Sequence, residues 1–173
     1  MDNLALFFLF FGLSGKSPVA DSLMIFGARF VIYLTFLLIF ALAIKGGVKE
    51  KKALILAIMT IPIIILLIKC IHIFYYETRP FVDNDILPLI SYNTDASFPS
   101  RHTSIMSAIT FSYLYFRSKW AFVFGFLMLW VGMARIFVGV HFPIDIIGGI
   151  IVGLISQISG VQIIKLIKVR FLA

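Results

Sequence analysis

The sequence predicts an all-α membrane protein, a polytopic bundle of about five transmembrane helices with a short additional helix at the N-terminus. Hydrophobic residues make up 61% of the chain and charged residues only 13%, and the mean hydropathy is +1.07. A soluble domain of 173 residues cannot bury so much apolar surface. The apolar residues also form runs long enough to cross a bilayer. The length favours a single domain that comprises residues 1–173.

Five apolar runs predict the transmembrane helices, which are residues 22–44, 53–76, 103–116, 121–138 and 143–164. Pro143 is a favoured first residue of a helix, so the fifth run begins there. Residues 1–13 are apolar but too short to span, and they lack the basic region and cleavage site of a secretory signal peptide. They predict a short helix that lies in the membrane interface or dips into it.

The distribution of basic residues predicts the orientation in the membrane. Lysine and arginine are concentrated in the loops 45–52 and 117–119 and in the C-terminal tail, at Lys165, Lys168 and Arg170. Five spans place these three regions on one side, which the positive-inside rule makes cytoplasmic. The N-terminus, the 77–101 segment and the 139–142 turn then lie outside, and the expected location is the plasma membrane.

The charges and the single cysteine argue against nucleic-acid binding, an intrachain disulfide and a thiolate metal site. The net charge of +7 would suggest nucleic-acid binding in a soluble protein, but here the loop charges explain it. Cys70 is the only cysteine and lies in an apolar run, which leaves no intrachain disulfide and no thiolate metal cluster. Arg29, inside the first predicted span, has an ordinary explanation as a residue that snorkels to the surface.

The remaining unusual polar residues collect at the predicted outer face. Lys69, His72 and Arg79 lie at the end of the second span, Ser100, Arg101 and His102 at the start of the third, Arg135 at the end of the fourth, and His141 and Asp145 around the start of the fifth. This set combines cations, histidines, one carboxylate and a helix N-terminus at about one depth. Because helix N-termini and arginine side chains both bind anions, the set predicts a phosphate site.

The residue types also suit phosphoryl transfer. In the stretch SFPSRHTS, residues 97–104, Ser100 would begin a helix whose first amide groups face an anion. His141 and Asp145 are four residues apart, so the carboxylate can orient the imidazole as a nucleophile. His102 comes from another helix and can protonate the departing oxygen.

Other interpretations of these residues remain open at this point. A histidine at a helix end is often a cap or a surface residue, and an interfacial arginine often only snorkels. His102, His141 and Asp145 could bind a metal, but the neighbouring arginines would repel the cation. A transporter would place its charges nearer the membrane midplane. No metal or other cofactor is therefore expected.

The polar segments resemble the motifs of the type-2 phosphatidic acid phosphatase superfamily, membrane lipid phosphatases that share their core with the vanadium haloperoxidases. The family motifs are KxxxxxxRP, PSxH and RxxxxxHxxxD. This chain has Arg79-Pro80, then Pro99-Ser100-Arg101-His102, then Arg135, His141 and Asp145 at the full spacing of the third motif. The resemblance extends over the helical core, roughly residues 53–165.

The resemblance implies a role for each matching residue. His141 would be the nucleophile that forms a phosphohistidine, and Asp145 would orient it. His102 would protonate the leaving group and later activate water. The phosphate would be held by Arg79, Ser100, Arg135 and the amide groups of Arg101 and His102. No metal is required in this family.

Two positions depart from the family pattern. The position of the first-motif lysine is His72, and Lys69 lies one turn earlier, so either residue can supply the missing cation. The usual glycine of the second motif is Arg101, which can bind a second phosphate. This arginine and the segments 78–81, 95–103 and 135–149 resemble the bacterial undecaprenyl-diphosphatase branch of the family.

By this resemblance, the expected reaction is hydrolysis of undecaprenyl diphosphate to the monophosphate and inorganic phosphate, which recycles the cell-wall lipid carrier. A phosphatidate, phosphatidylglycerophosphate or lipid A phosphatase is the alternative enzyme. A non-catalytic lipid-binding or transport protein is the alternative of another class, and it would usually have lost a histidine or the aspartate. The expected partners are the lipid substrate and the bilayer, and a monomer and a homodimer both remain open.

Overall fold

The computed structural model describes residues 2–167, and this part of the chain forms eight helices and no strand. The helices are α1 (Asn3–Phe11), α2 (Pro18–Arg29), α3 (Val31–Lys45), α4 (Val48–Phe74), α5 (Pro80–Asp83), α6 (Arg101–Tyr115), α7 (Trp120–Phe137) and α8 (Pro143–Leu166). The predicted all-α fold class is confirmed. The predicted tail cations Lys168 and Arg170 lie outside the described residues.

Three of these helices, α4, α7 and α8, are long and apolar enough to cross a membrane. The pair formed by α2 and α3 is a fourth candidate span, bent by 54°. The predicted run at 103–116 corresponds to α6, which has 15 residues. Such a helix is about 22 Å long, against about 30 Å for the hydrocarbon core of a bilayer. Three to four candidate spans are thus observed, and the predicted count of five is not confirmed.

The bend between α2 and α3 corrects the prediction of one continuous helix over residues 22–44. α2 ends at Arg29, which is exposed, and α3 begins at Val31. At this bend the carbonyl of Ala28 accepts a hydrogen bond from Arg135 Nη1 of α7 at 3.3 Å. The buried Arg135 guanidinium group therefore binds a carbonyl group that, in a continuous helix, would accept a hydrogen bond from an amide of the same helix.

The short helix α6 lies at the centre of the bundle, where it packs against α4, α7 and α8. This position explains how a short and rather polar helix is stable here, since protein rather than lipid surrounds it. Its hydroxyl groups find main-chain acceptors: Ser104 Oγ donates to Ser100 O at 2.9 Å, Ser107 Oγ to Ile150 O at 2.8 Å and Thr110 Oγ1 to Met106 O at 2.8 Å. Buried hydroxyl groups with such partners cost little free energy.

Two glycines of α8 let this helix approach α6 closely. A Cβ atom at Gly149 would lie 2.8 Å from Ser100 O and 2.9 Å from Thr103 Cβ, and one at Gly153 would lie 2.5 Å from Ser107 Cβ. Small residues are a common means of close helix packing in membranes. The contact at Gly149 places the start of α8 beside Ser100, the N-cap residue of α6. Two of the polar segments are brought together in this way.

The two basic loops meet at the other end of the bundle. Ser118 Oγ donates a hydrogen bond to Glu50 Oε1 at 2.9 Å, which joins the turn after α6 to the start of α4. Part of the predicted 45–52 loop is helical, because α4 begins at Val48. The end of α4, the start of α6, the end of α7 and the start of α8 consequently lie together at the opposite end.

The N-terminal helix α1 has nine residues, in agreement with the short helix predicted for residues 1–13. Phe7 is fully buried and packs against Phe142 and Ile146. Asp2 caps the helix by accepting a hydrogen bond from Ala5 N at 2.7 Å. α1 therefore covers the turn between α7 and α8.

Candidate active site

The structure joins the three polar segments at this end of the bundle. Arg79 is the N-cap residue of α5, whereas Arg135 lies in the last turn of α7. Ser100 N donates a hydrogen bond to Asp145 O at 3.0 Å, which connects the second segment to the third. Arg79 Nη1 donates to Val140 O at 2.9 Å, which connects the first segment to the third. The predicted core residues of the site are thus neighbours in space.

His141 and Asp145 form a buried pair. His141 Nδ1 lies 3.0 Å from Asp145 Oδ2, and because a carboxylate accepts, Nδ1 donates and Nε2 keeps its lone pair. Nε2 faces Arg79 Nη1 at 3.3 Å. Burial, together with the charges of Arg135 and Arg79, lowers the pKa of His141 well below its usual range. A neutral imidazole with an available Nε2 lone pair is the form that a nucleophile requires.

The Asp145 carboxylate is itself held in place by several donors. Its Oδ2 atom accepts hydrogen bonds from Phe142 N at 2.8 Å and from Ser97 Oγ, in addition to His141. The main-chain donor is Phe142, the N-cap residue of α8, so the Asp145 side chain in the first turn caps the start of that helix. This arrangement fixes the orientation of the His141 ring.

Arg79 is almost fully buried, with 2% of its side chain exposed, and its donors are used on several sides. Nε and Nη2 donate to Asp95 Oδ1 at 3.2 and 2.9 Å. Nη2 also donates to Ala96 O at 3.2 Å, while Nη1 lies between Val140 O and His141. The guanidinium group is therefore fixed beside the imidazole before any substrate binds.

Arg135 is equally buried but keeps unused donors. Its Nη1 atom donates to Ala28 O, and the group also interacts with the Tyr92 side chain, whereas Nε and Nη2 make no well-formed hydrogen bond with the described residues. A buried guanidinium group with unpaired donors is costly unless an anion accepts from it. Arg135 thus has the donors that a phosphate group would use.

Tyr92 contacts both arginines and was not predicted from the sequence. The Arg79 and Arg135 guanidinium carbons lie 4.3 and 4.4 Å from the centre of its ring. The ring centre is also 6.4 Å from that of His141. Since an aromatic face attracts cations, Tyr92 stabilises two positive charges that would otherwise repel each other.

Asp95 and Arg101 extend the cluster toward the surface. Arg101 is 54% exposed and forms an ion pair with Asp95, which also binds Arg79. Burial raises the pKa of Asp95, but hydrogen bonds and charges from Arg79 and Arg101 outweigh burial and lower the pKa overall. Asp95 therefore stays ionised and links the exposed arginine to the buried one. Neither Asp95 nor Ser97 was predicted as a site residue.

His102 and Ser100 occupy the first turn of α6 and its N-cap position. Ser100 is fully buried, and its side chain makes no capping hydrogen bond with the described residues. Instead, Ser100 Oγ accepts from Thr103 Oγ1 at 3.2 Å, which leaves the first amide groups of α6 for a ligand. His102 is half-buried and close enough to Arg135 and His141 for electrostatic interaction. Its role as general acid stays a prediction.

Lys69 and His72 lie at the edge of the site, and in the described structure they form no hydrogen bond with Arg79 or Arg135. His72 Nε2 donates to Phe98 O at 3.0 Å, so this histidine supports the main chain just before Ser100. Lys69 is exposed and lines a cavity together with His72 and Arg101. Which of Lys69 and His72 replaces the first-motif lysine stays open.

Within residues 2–167, no three His, Cys, Asp or Glu side chains are grouped in a way that could hold a metal ion. The donors that are grouped here suit an anion instead: two buried guanidinium groups, a helix N-terminus and a neutral imidazole. Together these residues can bind a phosphoryl group, attack it from His141 Nε2 and stabilise the negative charge of the transition state.

Comparisons with known proteins agree with this chemistry. The family model described as the PAP2 superfamily matches residues 50–166. Undecaprenyl-diphosphatase BcrC of Bacillus subtilis (strain 168) is 35% identical over 156 residues, which are 88% of this chain and 79% of that protein. Lipid A 1-phosphatase of Rhizobium johnstonii is 35% identical over 68 residues, which are 38% of this chain and 27% of that protein.

The solved structures add a likeness in fold. The crystal structure of Aquifex aeolicus LpxE matches with a TM-score of 0.74 at 27% sequence identity, and the match covers 92% of this chain and 94% of that one. The region matched by the family model includes all three motifs. This chain therefore belongs to the PAP2 superfamily, the type-2 phosphatidic acid phosphatase superfamily that its motifs predicted.

Proposed function

We propose that this chain is a membrane lipid phosphatase that hydrolyses undecaprenyl diphosphate to undecaprenyl phosphate and inorganic phosphate. The observation that carries the proposal is the buried His141–Asp145 pair, which faces the fixed Arg79 and has the unpaired donors of Arg135 nearby. The similarity to BcrC of Bacillus subtilis, over most of both chains, supports the diphosphate as substrate. The product would re-enter cell-wall synthesis as the lipid carrier.

In the proposed mechanism, His141 Nε2 attacks the terminal phosphorus atom and forms a phosphohistidine. The bond between phosphorus and the bridging oxygen breaks, and His102 protonates that oxygen as undecaprenyl phosphate departs. His102 then takes a proton from water, and the resulting hydroxide attacks the phosphohistidine. Inorganic phosphate leaves, and His141 recovers its Nε2 lone pair. Arg79 and Arg135 stabilise the charge on the transferred group throughout.

The exposed cations support a diphosphate over a monophosphate. Arg79 and Arg135 are enough to neutralise most of the charge of one phosphoryl group. Arg101 and Lys69 lie outside this pair and line one cavity at its edge. A second phosphate, the one that remains on the lipid, would find its counter-ions there.

The site is proposed to face the outside of the cell, in the plasma membrane. The basic loops are joined by Ser118 and Glu50 at the end of the bundle opposite the site. If those loops are cytoplasmic, as the positive-inside rule requires, the His141 site opens to the extracytoplasmic face. The C-terminus then lies in the cytoplasm.

A phosphate-release panel tests the substrate. The purified full-length chain would be assayed in detergent with undecaprenyl diphosphate, phosphatidate, phosphatidylglycerophosphate and lipid A, with and without EDTA. We expect the highest kcat/KM with undecaprenyl diphosphate and no loss of activity with EDTA, because the proposed site uses arginines and amide groups in place of a metal.

Two outcomes of the panel would contradict the proposal. A clear preference for lipid A, to whose 1-phosphatase the chain is similar over 68 residues, or for either phospholipid would replace the proposed substrate. Strict dependence on a divalent cation would reject the metal-free mechanism. Preparations of His141→Ala, assayed in parallel, would show that the phosphate comes from this site and not from a contaminating phosphatase.

A further inference from the structure

An apolar groove runs along α4, with α6 on one side and α3 on the other. It consists of two adjoining cavities of about 380 and 340 Å³. Both cavities are lined by Ile61, Ile64 and Ile105, so they form one continuous depression. We call it the α4 groove.

The polar groups of the α4 groove are confined to one end. Lys69, His72 and Arg101 line that end, and isoleucine and phenylalanine line most of the rest. Thr60 is the polar residue farther along, but it is buried and its hydroxyl donates to Ala57 O at 2.6 Å. The groove therefore offers a cationic head region followed by an apolar channel, which is the order of groups in a lipid phosphate.

The cationic end is connected to the candidate nucleophile by direct contacts. Arg101 is paired with Asp95, Asp95 with Arg79, and Arg79 Nη1 lies 3.3 Å from His141 Nε2. His72 also contacts the main chain at Phe98, two residues before Ser100. A lipid in the α4 groove would consequently present its headgroup to the site already described.

The length of the α4 groove indicates what kind of chain it fits. It extends from His72 to Leu54 along α4, eighteen residues or about 27 Å at the rise of an α-helix. The hydrocarbon core of a bilayer is about 30 Å thick. The acyl chains of a phospholipid reach about half of this depth, whereas a long isoprenoid chain can follow the whole groove.

We propose that the α4 groove holds the single isoprenoid chain of the substrate, with the lipid-bound phosphate at Arg101 and Lys69. The inference rests on the proposed function and deepens it, because one long groove explains selection of a single-chain polyprenyl diphosphate over diacyl lipids. The groove is built from α4, α6 and α3, so residues outside the catalytic motifs determine chain length preference.

The test compares a long and a short substrate in groove variants. Ile61→Trp fills the middle of the groove. Ile58→Trp narrows only the apolar part of the groove that lies away from the cationic end. Ile58 is 54% exposed, so the position tolerates a larger side chain. Leu129→Trp is the matched control, since Leu129 is 57% exposed in a separate apolar depression between α2 and α7. We expect both groove variants to lower the ratio of kcat/KM for undecaprenyl over farnesyl diphosphate by about tenfold, and Leu129→Trp to leave the ratio unchanged.

A second readout does not depend on turnover. A prenyl diphosphate with a photoreactive group near the middle of its chain should label peptides of α4 and α6 in the wild-type chain, and Ile61→Trp should reduce this labelling. Three results would overturn the inference. They are labelling of α2 and α7, a kcat/KM ratio that falls as much in Leu129→Trp as in the groove variants, and a kcat/KM ratio that is unchanged in both groove variants. Labelling of α4 and α6 without hydrolysis of the diphosphate would support the groove as the binding site of the isoprenoid chain and reject the proposed function. Failure of the groove proposal and failure of the proposed function are therefore distinguishable.

Discussion

Replacement of His141 by alanine is expected to abolish turnover, with kcat/KM lowered by about 10⁴-fold or more, because the variant has no nucleophile. His141 is the only imidazole that contacts both a carboxylate and a buried arginine among the described residues. The measurement is phosphate release from undecaprenyl diphosphate by equal amounts of folded protein. Thermal unfolding in the same detergent would verify that the buried cluster survives the change.

The chain offers a matched control for this variant, since it has three histidines. His72 donates to the main-chain carbonyl of Phe98 and does not contact the buried arginines in the described structure. We expect His72→Ala to retain much more activity than His141→Ala. Release of phosphate by His141→Ala at the wild-type rate would show that another residue attacks the substrate.

Replacement of His102 by alanine is expected to have the second-largest effect, a fall in kcat of about 10²- to 10⁴-fold with undecaprenyl diphosphate. In the proposed mechanism this residue protonates the departing oxygen, so the loss should depend on the leaving group. The p-nitrophenolate group of p-nitrophenyl phosphate leaves without much help from an acid. We therefore expect His102→Ala to slow phosphoryl transfer from this substrate to His141 far less. A comparison of burst and steady-state rates would measure the difference.

A structural role of His102 would give a different pattern. Damage to the start of α6 would slow all substrates to the same extent and lower the thermal stability. Equal losses for good and poor leaving groups would therefore contradict the assignment of His102 as the general acid.

The sequence predicts the site best where local spacing determines spatial contact. His141 and Asp145 are four residues apart around a helix start, and this spacing places their side chains together in the structure. Arg79, Ser100 and Arg135 stand at helix ends that had to meet once the order of apolar runs was known. Hydropathy was sufficient to predict the all-α class, and the four-residue spacing was sufficient to predict the contact between His141 and Asp145.

Other features depend on tertiary contacts that no local pattern reports. Tyr92 and Asp95 belong to the 77–100 segment, which has little regular structure. Tyr92 contacts Arg135 of α7, and Asp95 binds Arg79 from the other end of the same segment. Ser97 stood inside the predicted motif stretch, but only the fold places it against Asp145. The position of Ser97 beside a catalytic motif is the only indication of its role in the sequence, and such an indication is weak.

The membrane spans show the same limit. The run at 22–44 is continuous in hydropathy, yet its helix is interrupted where Arg135 from α7 takes the carbonyl of Ala28. Hydropathy also cannot distinguish a helix that faces lipid from the short α6, which is enclosed by other helices. In both cases the structure includes contacts with other helices that hydropathy does not describe.

The most direct test of the central claim is to trap the covalent intermediate. The wild-type chain would be mixed with substrate that has a radiolabelled terminal phosphate, quenched in alkali, where phosphohistidine is stable, and digested for peptide mapping. We expect label on the peptide that contains His141, loss of this label in acid, and no label in His141→Ala. Turnover without any labelled peptide, or label on a peptide that lacks His141, would contradict the assignment of His141 as the nucleophile.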